Sequence, residues 1–146
     1  MRSPKAVSFL EQIRRNAVAL ISLVVAVSGL SYNSWRNELS EENRNLRHAA
    51  FEVLLKLGEL QQVVFHSHYD MDYERGNPRT GWAYALTIRD LALVLPQPLP
   101  EATESLLATW GDNWEGLGEE GDSADTILEA IDETRNATLD VLRSLD

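Results

Sequence analysis

Apolar residues along this chain form one continuous block and then a series of stripes with helical spacing. Residues 16–35 read NAVALISLVVAVSGLSYNSW, 20 positions without a charge. At about 1.5 Å rise per residue, a helix of that length covers roughly 30 Å, the hydrocarbon thickness of a bilayer. The densest part is Ala17 to Leu30 and Ser31 to Ser34 is polar, so a span here draws on its flanks. Tyr32 and Trp35 stand where interfacial aromatics belong, and Arg14 and Arg15 close the other end. The block therefore predicts an uncleaved signal anchor. A cleaved signal peptide is the competing reading, because Ala26-Val27-Ser28 before Gly29 forms a tolerable cleavage pattern. Against it, the preceding 15 residues carry their own amphipathic pattern (Val7, Phe9, Leu10, Ile13), and the apolar run continues past the cut.

Orientation follows from the basic residues on either side. Arg2, Lys5, Arg14 and Arg15 precede the block, and Arg36, Arg44 and Arg47 follow it. The bias, with two arginines at the N-terminal edge, predicts a cytoplasmic N-terminus and a C-terminal domain outside the cytoplasm, periplasmic if the cell is bacterial.

After Trp35 the period becomes that of amphipathic helices. Asn43, Leu46, Ala50, Val53, Leu57, Leu60 and Val64 recur at spacings of three and four, and Phe51, Leu54, Leu55 and Val63 widen the stripe. No Pro or Gly interrupts Tyr32 to Leu57, so the membrane helix is expected to run on as a stalk into the domain. Gly76, Asn77, Pro78 and Gly81 are turn signals that place its end between His66 and Gly81. A second apolar segment runs from Trp82 to Leu95 and stops at Pro96-Gln97-Pro98. Pro100 suits the first turn of a third helix with Leu106, Leu107 and Trp110 on its buried side. Gly111 to Gly121 forms the next connection, and Asp122 or Ser123 is the expected N-cap of a last helix. Its stripe is Ile127, Ile131, Thr134, Thr138, Val141 and Leu145, joined by Leu128 and Leu142. The predicted fold is all-α: a single N-terminal transmembrane helix continuing into a small antiparallel bundle of about four helices. Its parts are a basic segment over 1–15, the anchor over 16–35 and an acidic bundle domain over 36–146.

Charge sharpens this division. The chain of 146 residues has a net charge of −10, yet residues 1–35 carry +3 and the remainder −13. The most acidic part is 101–146, with 13 acids against Arg135 and Arg143. Such a head is not expected to bind nucleic acid, whose phosphates are held by basic residues. No cysteine is present, which excludes disulfides, thiol nucleophiles and thiolate metal sites.

Four surfaces could carry function. Ala19, Ser22, Ala26, Gly29 and Asn33 follow spacings of 3, 4, 3 and 4, giving a small-residue face through which membrane helices associate closely, with a second copy or another protein. The segment HSHYDMDYE, residues 66–74, holds every histidine except His48. If extended, it points His66, His68, Asp70 and Asp72, together with Glu74, one way, a donor set suited to zinc or another divalent transition metal. If helical, it forms two ordinary pairs, His66 with Asp70 and His68 with Asp72, on different faces. The acidic stretch from Asp112 to Glu133 contains no Lys or Arg, but Trp114 and Gly116 occupy positions where an EF-hand needs oxygen ligands. A solvated acidic pole facing a basic partner is the better reading of it. Trp114, beside the glycine-rich connection, is the candidate interface aromatic.

No Walker A loop, GxGxxG, GxSxG or CxxC occurs, and no Ser, His and Asp share a triad-like spacing. Neither an enzyme nor a cofactor protein is therefore expected. The pattern points to a membrane-anchored accessory protein that docks its acidic bundle on a membrane-associated partner. The alternative is a ligand- or metal-sensing bundle that uses the turn from His66 to Arg79.

Overall fold

The computed structural model describes residues 12, 14, 16–119 and 121–145. The N-terminal positions Arg2, Lys5, Val7, Phe9, Leu10, Ile13 and Arg15, which entered the charge and amphipathicity readings, lie outside the described residues. The described residues form four α-helices and one 3₁₀ turn, with no strand. They are α1 (Ala17–His68), α2 (Pro78–Ala92), α3 (Leu99–Asn113), the 3₁₀ turn Trp114–Gly116, and α4 (Gly121–Ser144). The chain divides into two compact units, Met1–Glu42 and Asn43–Asp146, and α1 contributes to both. Residues 36–42 thus group with the apolar segment rather than with the head.

In the first unit, α1 exposes a dense run of large apolar side chains. Val18 is 79 % exposed and Leu30 69 %, and no residue of the apolar window is buried. This is one helix long and apolar enough to cross a membrane. Tyr32 and Trp35 lie together at its polar end, their ring centroids 6.2 Å apart.

The second unit is built around one core. From α1 come Ala50, Val53, Leu57, Leu60 and Val64, from α2 Ala85, Ile88 and Ala92, from α3 Leu99, Leu106 and Trp110, and from α4 Ile127, Ile131 and Val141. The buried stripe of α1 is narrower than its sequence suggests. Asn43, Phe51 and Leu55 are exposed and Leu46 and Leu54 half-buried, because two neighbouring helices cover only part of the circumference.

Pairs of distant residues fix the topology. Arg47 of α1 donates to the Leu145 carbonyl at 2.6 Å, and Gln61 accepts from Arg135, so α1 and α4 run antiparallel. Lys56 Nζ lies 5.4 Å from the Tyr84 ring centroid and Val63 shares a cleft with Thr80, which makes α1 and α2 antiparallel too. Trp110 packs on Gly81, and Thr134 Oγ1 lies 3.4 Å from the Ala102 carbonyl oxygen. The helices therefore close a ring, α1 against α2, α2 against α3, α3 against α4 and α4 back against α1. Thr134 and Thr138 can sit inside it because their hydroxyls donate to the carbonyls of Ala130 and Thr134, at 2.8 and 2.7 Å, satisfying each within its own helix.

Helix ends follow local chemistry. Asn77 caps α2, its side chain accepting from the Arg79 N–H at 2.9 Å, while Pro78 fills the first turn where no donor is needed. That starts α2 four residues before the apolar segment at Trp82. Gly81 is required here because any Cβ would overlap the fully buried Trp110 indole. At α4 the expected cap is displaced: the helix already begins at Gly121, Asp122 lies in its first turn, and Ser123 is buried. Because the helix begins before it, Asp122 is a helical residue and not a cap, and its carbonyl accepts from the Thr126 hydroxyl. Gly118, at φ +92°, turns the chain beside Ser67 and Tyr73.

Candidate functional site

Within the first unit, Ala19, Ser22, Ala26, Gly29 and Asn33 are all exposed, and their spacing puts them on one side of α1. The Ser22 hydroxyl donates to the Val18 carbonyl at 2.8 Å, which satisfies it inside its own helix. Nothing lies within 4 Å of where a Gly29 Cβ would stand. The face is smooth and open, as close approach of a second helix needs.

The turn after α1 resolves the histidine-rich segment. α1 continues through His68, so residues 66–68 are helical and the alternation expected of an extended segment does not form. His66 and His68, two apart, point to different faces, and the four candidate ligands do not converge. His66 Nδ1 and Asp70 Oδ2 form one pair at 2.7 Å. Asp72 instead accepts from Arg75, at 3.0 Å from its backbone N–H and 2.7 Å from its guanidinium. The Arg75 backbone and guanidinium hydrogen bonds hold the Asp72 carboxyl below its ordinary pKa, and the same contact raises that of Arg75. His68 turns its ring edge onto Tyr69, centroids 4.7 Å apart, and its Nδ1 is buried without a hydrogen-bond partner. No group of three His, Asp or Glu side chains that could hold a metal occurs among the described residues.

Trp114 begins the 3₁₀ turn and is half-buried, packed against the core cluster. The carboxylates of the acidic stretch are dispersed along the end of α3, the following turn and the outer face of α4, with Glu120 outside the described residues. Asp132 pairs with Arg135, one of the two bases in residues 101–146.

One surface escaped the sequence reading. Phe51, Leu55 and Phe65 of α1 and Tyr69 just past its end are 55, 61, 39 and 59 % exposed on the side away from the core, and the Tyr69 N–H still donates to the Phe65 carbonyl. Around its lower half Gln62, Phe65, His66, Tyr69 and Asp70 line an open cleft of about 630 Å³. Phe65 and Tyr69 meet edge to face, their centroids 5.7 Å apart. The signal was an excess: α1 holds more apolar positions than one core stripe can use. Gln62, Phe65 and His66 belong to α1 and Tyr69 and Asp70 to the turn directly after it, so the cleft has one wall and cannot enclose a small ligand as binding pockets do.

No family model, curated protein or solved structure matches this chain. Its function is consequently argued from its surfaces alone.

Proposed function

We propose that this protein is a non-enzymatic, single-span membrane protein that presents an acidic helical bundle to a membrane-associated protein partner. One observation carries the reading: a single helix is apolar and wholly exposed over its N-terminal part, yet supplies one wall of a packed core over its C-terminal part. A stretch with Val18, Ile21, Val24, Val25 and Leu30 at 64–79 % exposure is intolerable in water and natural in lipid. The arginines before the span support a cytoplasmic N-terminus. The acidic head supports a basic partner or a partner surface of mixed charge, and disfavours contact with anionic headgroups.

Carbonate washing of membranes tests the anchor, since an integral chain stays in the pellet and a chain found in the wash overturns it. An impermeant maleimide on a Ser144→Cys variant tests the side: labelling of intact cells supports an outside head, and labelling only after lysis reverses the orientation. Affinity purification from detergent then identifies the partner by mass spectrometry.

The sensor reading retains one favourable observation, the His66–Asp70 pair at the edge of the cleft. Zinc sites need three or four protein ligands, and this pair supplies two. Calorimetric titration of the detergent-solubilised chain with zinc separates the readings, since saturable binding lost in His66→Ala favours the sensor.

A further inference from the structure

The exposed stripe along α1 and the first residue after it has a period of its own. Phe51, Leu55, Gly58, Gln62, Phe65 and Tyr69 follow spacings of 4, 3, 4, 3 and 4, an unbroken heptad pattern over 19 residues. The core stripe of the same helix lies on the opposite side and is fully used within the bundle. A 3.5-residue period is what two helices winding around each other require, and nothing within the second unit makes use of it. We infer that this face is the seat of a second copy of the same chain, paired in parallel through residues 51–69.

Three observations select the second copy. Charge comes first: residues 43–70 carry three acids and three bases, net zero, whereas residues 71–146 carry −11. A basic partner would be drawn to the acidic remainder, and this neutral strip is where two such heads can meet without repulsion. Gly58 comes second. Glycine inside a helix costs about 1 kcal/mol relative to alanine. A Cβ there would meet nothing within 4 Å, so no packing inside the bundle calls for its absence. Close approach of another backbone does. Third is Gln62, half-way along the stripe. In a parallel pair it meets its own copy, and an amide that both donates and accepts satisfies its equivalent. An antiparallel pair sets it against Gly58 with no partner. A single polar layer of this kind fixes register.

The available area is consistent with this. At their observed exposures, Phe51, Leu55, Phe65 and Tyr69 offer roughly 400 Å² per copy, about half of what a standard interface buries on each side. Flanking side chains and the open cleft, which a Tyr69 or Phe65 from the second helix would fill, supply the rest. The inference rests on the interaction reading above, naming its partner, but not on membrane attachment.

The test uses the full chain, which has no native cysteine. Leu55→Cys and Gln62→Cys are treated in native membranes with a short bis-maleimide, beside Thr87→Cys and Glu129→Cys as exposed controls on α2 and α4. The expected homodimeric adduct at positions 55 and 62 exceeds the controls by at least about tenfold, because pairing raises the local concentration to the millimolar range. Adding Phe51→Glu and Phe65→Glu should return it to the control level. Equal adducts at all four positions, or an adduct that survives the paired glutamates, overturns the inference. So does an adduct whose second component is a different polypeptide, although that outcome keeps the interaction reading. Homodimer formed by chain recovered in a carbonate wash would preserve the inference and sink the anchor. Co-purification of two differently tagged, otherwise unaltered copies is an independent measure, and its absence in mild detergent together with absent adducts is decisive against pairing.

Discussion

Gly81 and Gly58 are both helical glycines, and substituting each by alanine should move stability in opposite directions. At Gly81 the new Cβ would fall well inside van der Waals contact with Cζ2 and Cη2 of Trp110. Trp110 is fully buried between α2 and the rest of the core, so its ring cannot withdraw without displacing other side chains. Alanine gains about 1 kcal/mol of helix preference over glycine. Overpacking a filled core costs typically 1–3 kcal/mol and sometimes more, and an overlap with two ring carbons belongs at the upper end. The net expectation for Gly81→Ala is a loss of about 1–2 kcal/mol. In a unit of about 100 residues this lowers Tm by roughly 5–15 °C. At Gly58 the Cβ meets nothing, so the preference term stands alone and Gly58→Ala should raise Tm by about 4–8 °C. Both variants are melted in the same detergent, followed by far-UV circular dichroism and tryptophan fluorescence. A Gly81→Ala melting point at or above that of the unaltered chain would refute the packing described for Trp110. A fall for Gly58→Ala would show that its helix surface is already occupied, by the bundle or by a second copy retained in the detergent.

Other outcomes follow from the same contacts. Gly58→Ala, while stabilising the fold, should weaken the homodimeric adduct at Leu55→Cys, separating folding from pairing in one variant. Arg47→Ala removes a charged donor from the last turn of α4, which should cost about 1–2 kcal/mol and speed hydrogen exchange of the amides near Val141 to Leu145. Asp72 titrates below its ordinary range, so it binds fewer protons when folded than when unfolded. Its stabilising effect is complete above the unfolded carboxyl pKa and lost as pH falls through the lowered one. The melting difference between Asp72→Asn and the unaltered chain should accordingly be present at pH 7 and vanish in acid, and a constant difference would refute the Arg75 contact. Replacing Gly29 and Ala26 by Leu should weaken self-association in a membrane reporter assay, and an unchanged signal would remove the small-residue face.

The architecture was legible because it depends on periodicity. The 20-residue uncharged block and the stripes ending at Val64, Trp110 and Val141 repeat often enough that single exceptions do not matter. Boundaries depend on single residues and were less legible. Asn77 and Pro78 pull α2 forward by one turn, whereas Asp122 has the chemistry of a cap but sits inside α4. The histidine segment turned on one question, whether α1 stops before or after His68, because two residues more of helix separate His66 from His68. Phe51 and Leu55 read as inward-facing in the sequence because hydrophobicity alone does not say which of two apolar faces a bundle uses. Only the positions of α2 and α4 decide that, and they are set by contacts far along the chain.

The ring of helices closes between its first and last members, with Arg47 reaching Leu145 across 98 positions of sequence. A growing chain therefore exposes the inner wall made by Ala50, Val53, Leu57, Leu60 and Val64 throughout synthesis of the other three helices. At some 5–20 residues per second that interval lasts roughly 5–20 s. Until α4 arrives, an apolar surface destined for the interior is open to any passing chain, including a neighbour at the same stage. Truncation within α4 should leave this state permanent, and the head is thus a structure that stays open through most of its synthesis and closes only at the end.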